Sequence, residues 1–234
     1  MNTNTEFASA GYTAGQLNAL IKMIRAQAGE DGVERFLRGE VTISLPPRTW
    51  TEQDGVIRFS VTSDGTTGKQ WIGRLQNKNY RVGDYAKSIL LSPDFKPTSE
   101  ITTEIVVLGG KLFTDKDRVT KKIRAYAESL TFENRKPVTP NAEIACLIRE
   151  KFTDKDLEEM GLYWIVAMHD PIKDSVGDPR LLDADRLDDG GWLSALWDGP
   201  DGRWSGSGGF AFALPQVSSF FSRFREFLFV SPIS

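Results

Sequence analysis

The stretch DADRLDDGGWLSALWDGPDGRWSGSGGFAFAL, residues 183–214, is the part of the chain whose reading decides the fold. Between Asp183 and Gly209 it holds seven glycines and six aspartates but no lysine and no glutamate. Glycines interrupt every candidate helical turn, so a long helix is excluded. The spacing predicts short strands around Trp192–Trp197 and Phe210–Leu214, separated by loops. Trp192, Trp197 and Trp204 supply large rigid side chains with a polar N–H edge, a type that dominates interface hot spots. The Ser, Gly and Asp between them are of the adaptable polar kind found in antibody paratopes. Because Trp is highly buried on average, Trp192 and Trp204 are expected to be structural and Trp197 more exposed. The run from Asp183 to Gly209 therefore reads as a binding surface on a non-catalytic protein.

Upstream, Thr13 with Gln16 forms a capping box before Leu17, Leu20, Ile21 and Ile24, which predicts an amphipathic helix. Val33, Phe36 and Leu37, closed by Gly39, predict a second. Ile57, Phe59 and Val61 alternate with polar residues in the period of a half-buried strand. Trp71, Ile72 and Leu75 predict a short helix, and Val82, Tyr85, Ala86, Ile89 and Leu90 form a cleaner helical stripe that stops before Pro93. Ile101 to Leu108 reads as a strand, and Thr114 with Asp117 as the start of a helix carrying Val119, Ile123, Tyr126 and Leu130. The polar turn from Thr131 to Thr139 is the candidate domain boundary. Beyond it, Ile144, Leu147, Ile148 and Phe152 line a helix, Thr153 with Asp156 caps a short one, and Leu162 to Met168 predicts a strand buried on both faces. The tail from Val217 to Ser234 carries five phenylalanines and is expected to pack on the body or to mediate homo-oligomerisation.

The 234 residues are 40% hydrophobic and 26% charged, the composition of a globular protein. Lys plus Arg number 29 against 32 Asp plus Glu, a net charge of −3 with no basic field to hold a phosphate backbone. Nucleic acid is not an expected partner. One cysteine excludes an internal disulfide framework. The first residues lack the basic start and apolar core of a signal peptide, and no apolar run of about 18 residues occurs. The expectation is a soluble protein with no membrane span, cytoplasmic by default.

Chemistry is thinly represented. His169, the only histidine, rules out a multi-histidine metal site and leaves one possible general base, paired with Asp170 or Asp174. A strand-end histidine satisfied by local backbone is the alternative. Cys146 sits on the apolar side of a helix and reads as a buried inert thiol. Gly65 to Lys69 lies between a strand and a helix like a phosphate loop, but only two residues separate its glycines and Gln70 stands where a hydroxyl would meet magnesium. Asp183, Asp185, Asp188 and Asp189 run into Gly190, a cluster suited to calcium, yet without the alternation of an EF-hand loop. A paired-carboxylate hydrolase would need two acids facing each other across a cleft.

The residues Gly191-Trp192-Leu193, Trp197 to Asp201, Arg203-Trp204 and Gly209 to Leu214 together resemble the C-terminal variable region of target proteins of diversity-generating retroelements. That resemblance implies an α+β chain. A C-type-lectin-like part, of the variety shared with formylglycine-generating enzymes, would occupy residues 136–234 with short twisted antiparallel strands and a flanking helix. A mixed α/β part of unknown role would fill residues 1–135. The variable-type segment would be 183–209, with Leu187, Gly191, Ser194, Leu196, Trp197, Asp198, Gly199, Asp201, Gly202, Ser205, Gly206, Ser207 and Gly208 as exposed ligand-facing loop positions. Trp192, Pro200, Arg203, Trp204 and Phe210 would hold the scaffold. The chain departs from the pattern in having Gly209-Phe210-Ala211-Phe212 where Gly-Phe-Arg is usual. Trp197-Asp198-Gly199 replaces the Trp-Asn-Asp of calcium-dependent lectins, and the catalytic cysteines of formylglycine generation are missing. The implied function is non-catalytic ligand binding on a diversifiable surface, with a protein ligand, no cofactor and no metal. An alternative is a glycan-binding module in which Trp197 and Trp204 stack on sugars and Asp183 or Asp185 bind hydroxyls directly or through calcium. A hydrolase using His169 and nearby aspartates is the third reading.

Overall fold

A computed structural model describes residues 14–43, 48–199 and 202–216. Thr13, Pro200, Asp201 and the Phe-rich tail lie outside the described residues, and so do the expectations that fall on them. The chain divides into two compact units, residues 1–48 and 49–234. The boundary expected at 135/136 instead falls within the second unit, whose sheet draws strands from both sides of it.

The first unit is a helical hairpin of α1 (Ala14–Ala28) and α2 (Gly32–Leu37), as the apolar spacing predicts. Gly29 turns the chain with φ +87°. Gly32 lets the helices meet closely, since a Cβ there would stand 2.8 Å from Cβ of Ala28.

The second unit is α+β. Its strands are β1 (Thr51–Gln53), β2 (Val56–Asp64), β3 (Arg81–Val82), β4 (Ser99–Gly109), β5 (Trp164–Ala167), β6 (Ile172–Lys173), β7 (Pro179–Leu187), β8 (Gly190–Trp197) and β9 (Gly208–Leu214). They form one mixed sheet in the order β1-β2-β4-β9-β5-β7-β8-β3, with β6 beside β7. β5 runs parallel to β9, β3 runs parallel to β8, and the other pairings are antiparallel. Asp54 and Gly55, both at positive φ, make the two-residue turn between β1 and β2.

Helices α3 (Gly68–Asn77), α4 (Asp84–Leu90), α6 (Glu143–Lys151) and α7 (Asp154–Glu159) place apolar side chains in a cluster on one face. Helix α5 (Thr120–Ser129) contributes Ile123 and Ala127 to a second cluster, formed on the other face. The closing strand β9 is buried along its whole length, and its alternation sorts by size. Ala211 and Ala213 join the first cluster, where α6 packs, while Phe210, Phe212 and Leu214 fill the second.

Helix α5 begins at Thr120, later than Thr114 with Asp117 suggested. Those two residues do bond, Thr114 Oγ1 donating to Asp117 Oδ2 at 2.5 Å, but they close a turn before the helix. The predicted box at Thr153 and Asp156 does cap α7, with Asp156 N donating to Thr153 Oγ1 at 3.3 Å and Thr153 N to Asp156 Oδ2 at 2.7 Å.

Candidate functional site

The Asp-rich segment folds mainly as a hairpin. Arg180 to Leu187 of β7 pair residue by residue with Trp197 to Gly190 of β8, and Asp188 and Asp189 make the turn. The four aspartates expected to cluster are thereby split into two pairs, Asp183 with Asp185 inside β7 and Asp188 with Asp189 in the turn. Asp189 accepts Trp192 Nε1 at 2.9 Å and pairs with Arg81, whose guanidinium lies 5.3 Å from the Trp192 ring. Asp183 and Asp185 lie within β7 and are buried. Asp183 has no exposed surface, so it cannot reach the hydroxyls of a surface-bound sugar.

Several of the expected ligand-facing positions are on strands, not loops. Leu187 ends β7 and is exposed, Gly191, Ser194, Leu196 and Trp197 lie on β8, and Gly208 opens β9. Three glycines of the set are buried against large side chains. A Cβ at Gly191 would stand 2.6 Å from Asp154 Oδ1 and 2.8 Å from Arg149 Nη1. One at Gly199 would overlap the Trp197 ring, and one at Gly208 the Trp164 ring. The expectation that Gly191, Gly199 and Gly208 are exposed is therefore corrected: each is glycine because an indole or a guanidinium takes the space of its side chain.

Between β8 and β9 the chain from 198 to 207 is pinned at intervals. Asp198 N donates to Pro179 O at 3.0 Å, and Thr120 Oγ1 donates to the Asp198 carboxylate. Gly202 N donates to Gly199 O at 3.0 Å. Trp204 is held by its N–H to Arg118 O at 2.8 Å and by its indole Nε1 to Thr120 Oγ1 at 3.1 Å. Its ring packs on Trp164 and Phe210, with centroids 5.6 and 5.9 Å away. Arg118 returns a bond from Nε to Trp204 O at 3.0 Å and lies beneath Gly206. Arg118 and Thr120 are thus anchors that the sequence offers no signal for, because they come from a segment some 80 residues earlier. What remains outward is Trp197, 48% exposed, with Arg203 and Ser205, while Ser205 and Ser207 share a hydroxyl bond at 2.9 Å. Gly206 also borders a cleft of about 420 Å³ whose walls include Glu52, Asp54 and Lys111, a volume within the range of small-ligand sites.

The other candidates are structural by geometry. His169 receives Leu182 N–H on Nε2 at 2.9 Å and bonds Asp170 O through Nδ1 at 2.7 Å, so both ring nitrogens are committed to backbone. Burial, with Arg124 nearby, pushes its pKa down to about 4, and the ring is neutral. Cys146 is fully buried, and burial raises its thiol well above the usual range. At the phosphate-like loop, Thr67 N and Oγ1 both donate to Gln70 Oε1, at 2.9 and 2.7 Å, and Thr66 N to Asp64 Oδ1 at 3.1 Å. Those amides serve the chain's own side chains, and the Asp64 carboxylate, held down to about 2 by Thr66 and Arg74, opposes an anion there. Gly68 is required by the Leu90 carbonyl, which a Cβ would strike.

Among the described residues no group of three or more His, Cys, Asp or Glu side chains is placed to hold a metal, and no helix is long and apolar enough to cross a membrane. Comparisons of the chain with protein-family models, with curated proteins and with solved structures found no match.

Proposed function

We propose that this chain is a non-catalytic ligand-binding protein whose recognition surface centres on Trp197 and the outward residues of the 198–207 segment. The observation that carries this reading is the contrast between two indoles, Trp197 just before that segment and Trp204 within it. Trp204 is bonded and packed as framework, whereas Trp197 presents half of its surface to solvent. A large exposed aromatic next to a pinned backbone supplies contact area at little entropic cost on binding. A protein ligand suits this exposed aromatic, and a glycan is the alternative that a glycan array would reveal.

The likeness to the variable proteins of diversity-generating retroelements belongs to the same proposal, with a narrower variable set. Leu187, Trp197 and Ser205 are exposed and can change without the overlaps that a side chain at Gly191, Gly199 or Gly208 would make. A C-type-lectin-like scaffold is proposed for the segment from β5 to β9; what speaks for it is the β7–β8 hairpin and a closing strand of Gly-Phe type. The sheet continues beyond that segment through β4, β2 and β1.

Sequencing the locus from several isolates tests the diversification. Substitutions gathered at the outward positions, sparing the three glycines and Trp204, are expected; an even spread along the gene refutes it. Binding itself is tested by Trp197→Ala against any ligand that a display panel yields, with a loss of tenfold or more expected and unchanged affinity counting against the proposal.

A further inference from the structure

Asp183 and Asp185 are neighbours on one face of β7, two residues apart, so their side chains leave the sheet on the same side. Three of their four carboxylate oxygens, both of Asp183 and Oδ1 of Asp185, are buried and have no hydrogen-bond partner among the described residues. Ser194, directly across from Asp183 on β8, bonds the Asp185 carboxylate. The residues directly flanking the pair on this face are apolar or aromatic: Val166 and Trp164 of β5, Leu181 of β7, and Leu196 and Trp192 of β8; Arg81 of β3, one strand further beside Trp192, is paired with Asp189.

Buried carboxylate oxygens are ordinarily satisfied by donors or by a cation, because desolvating an unpaired charge is among the most expensive things a fold can do. Among the described residues no guanidinium or ammonium fills that role. Arg149 acts on Asp185 from a distance, but its Nη1 bonds the Asp185 carbonyl at 2.7 Å and pairs with Asp154 at 3.0 Å, and its Nη2 donates to Phe152 O. It therefore serves the opposite side of the strand, where Gly191 leaves it room.

We infer that Asp183, Asp185 and Ser194 form a site for a hard divalent cation, calcium or magnesium, bound through carboxylate and hydroxyl oxygens. Hard oxygen donors on one face suit such ions, and two carboxylates neutralise the charge in an apolar setting. Without the cation, burial and mutual repulsion push the Asp183 carboxyl well above the usual range, and burial raises Asp185 to about 6. The pair would then hold protons in place of metal.

The inference is independent of the recognition surface, and a luminescent probe reads it directly. Trp164 and Trp192 are the cross-strand partners of Asp185, so terbium bound there is placed to accept energy from two indoles. The chelator-treated full chain, titrated with terbium, should show tryptophan-sensitised emission that excess calcium or magnesium quenches. Its midpoint of thermal unfolding should rise by about 5–10 °C at saturating calcium or magnesium. Asp185→Asn should abolish both responses while keeping the native circular dichroism; Asp183→Asn, a nearly isosteric change, repeats the test at the other acid. Absence of sensitised emission and of any thermal shift in the unmodified chain overturns the inference, as does an equal response in either Asn variant. An Asp183→Asn chain that melts above the unmodified one with or without cation also overturns it and identifies a proton-sharing pair.

Discussion

Arg149 Nη1 stands 2.8 Å from the point that a Cβ of Gly191 would occupy, so the absence of a side chain at 191 makes room for a fully buried guanidinium. The guanidinium also lies 4.4 Å from the Tyr80 ring. Gly191→Ala should therefore overpack the junction of α6, α7 and β8 and destabilise the second unit by about 2 kcal/mol. A fall of roughly 4–8 °C in the thermal midpoint is the expected reading. Arg149→Ala should cost more, about 3 kcal/mol, because the carbonyls of Asp185 and Phe152 lose their donor and a cavity opens. Denaturant unfolding of both variants checks the order.

The two indoles of the loop should separate by stability alone. Trp204→Ala removes a ring packed on Trp164 and Phe210 and the indole donor to Thr120 Oγ1, so a loss of about 3 kcal/mol is expected. Trp197→Ala, at an exposed site, should shift stability by no more than about 1 kcal/mol. Equal losses in the two urea curves would mean that Trp197 is framework as well.

His169 gives the fold a sensitivity to acid. Its folded pKa lies at about 4, below the ordinary value of 6.5, so its contribution is present above pH 6.5 and is lost as pH falls through 4. The full effect is on the order of 3 kcal/mol. Asp185, raised to about 6, acts in the opposite sense, favouring the folded chain as pH falls, and it is common to both proteins in the comparison that follows. His169→Gln keeps an acceptor for Leu182 N–H but has no imidazole to charge. The urea midpoint of the unmodified chain should drop more between pH 7 and 4.5 than that of the variant; parallel profiles contradict this account.

Cys146 should be inert in the native state. It is fully buried and burial holds its thiol protonated, so a disulfide reagent should label it only on global unfolding. Rapid labelling at pH 8 without denaturant would show that α6 opens locally.

The elements whose apolar period was unbroken were legible in the sequence. The alternation of Ile57, Phe59 and Val61 gave β2, and the Thr153–Asp156 box placed the start of α7. The strand β7 was not legible, because Asp183 and Asp185 stand in its middle, where propensity argues for a turn. A local rule broken inside a well-paired strand marks the place where we infer a cation. The hairpin between β1 and β2 carries its signal in the turn dipeptide Asp54-Gly55, but β1 itself, three exposed residues, has no apolar period. β3, two residues long and defined only by β8, leaves no period to read. In the candidate site the sequence distinguished Trp197 from Trp204, but it could not show that Gly191, Gly199 and Gly208 are glycine for lack of space, since Arg149, Trp197 and Trp164 meet them only in the folded chain.

The position of β9 carries a consequence for synthesis. Among the described residues the strand is the last of the sheet in chain order, yet it sits between β4 and β5, antiparallel to one and parallel to the other. Until residues 208–214 have left the ribosome, the β1-β2-β4 and β5-β7-β8 halves have no strand between them, and each exposes an open edge. The nascent chain must therefore wait for β9 before these halves are joined, a late, long-range step of the kind that slows folding and makes help from chaperones valuable.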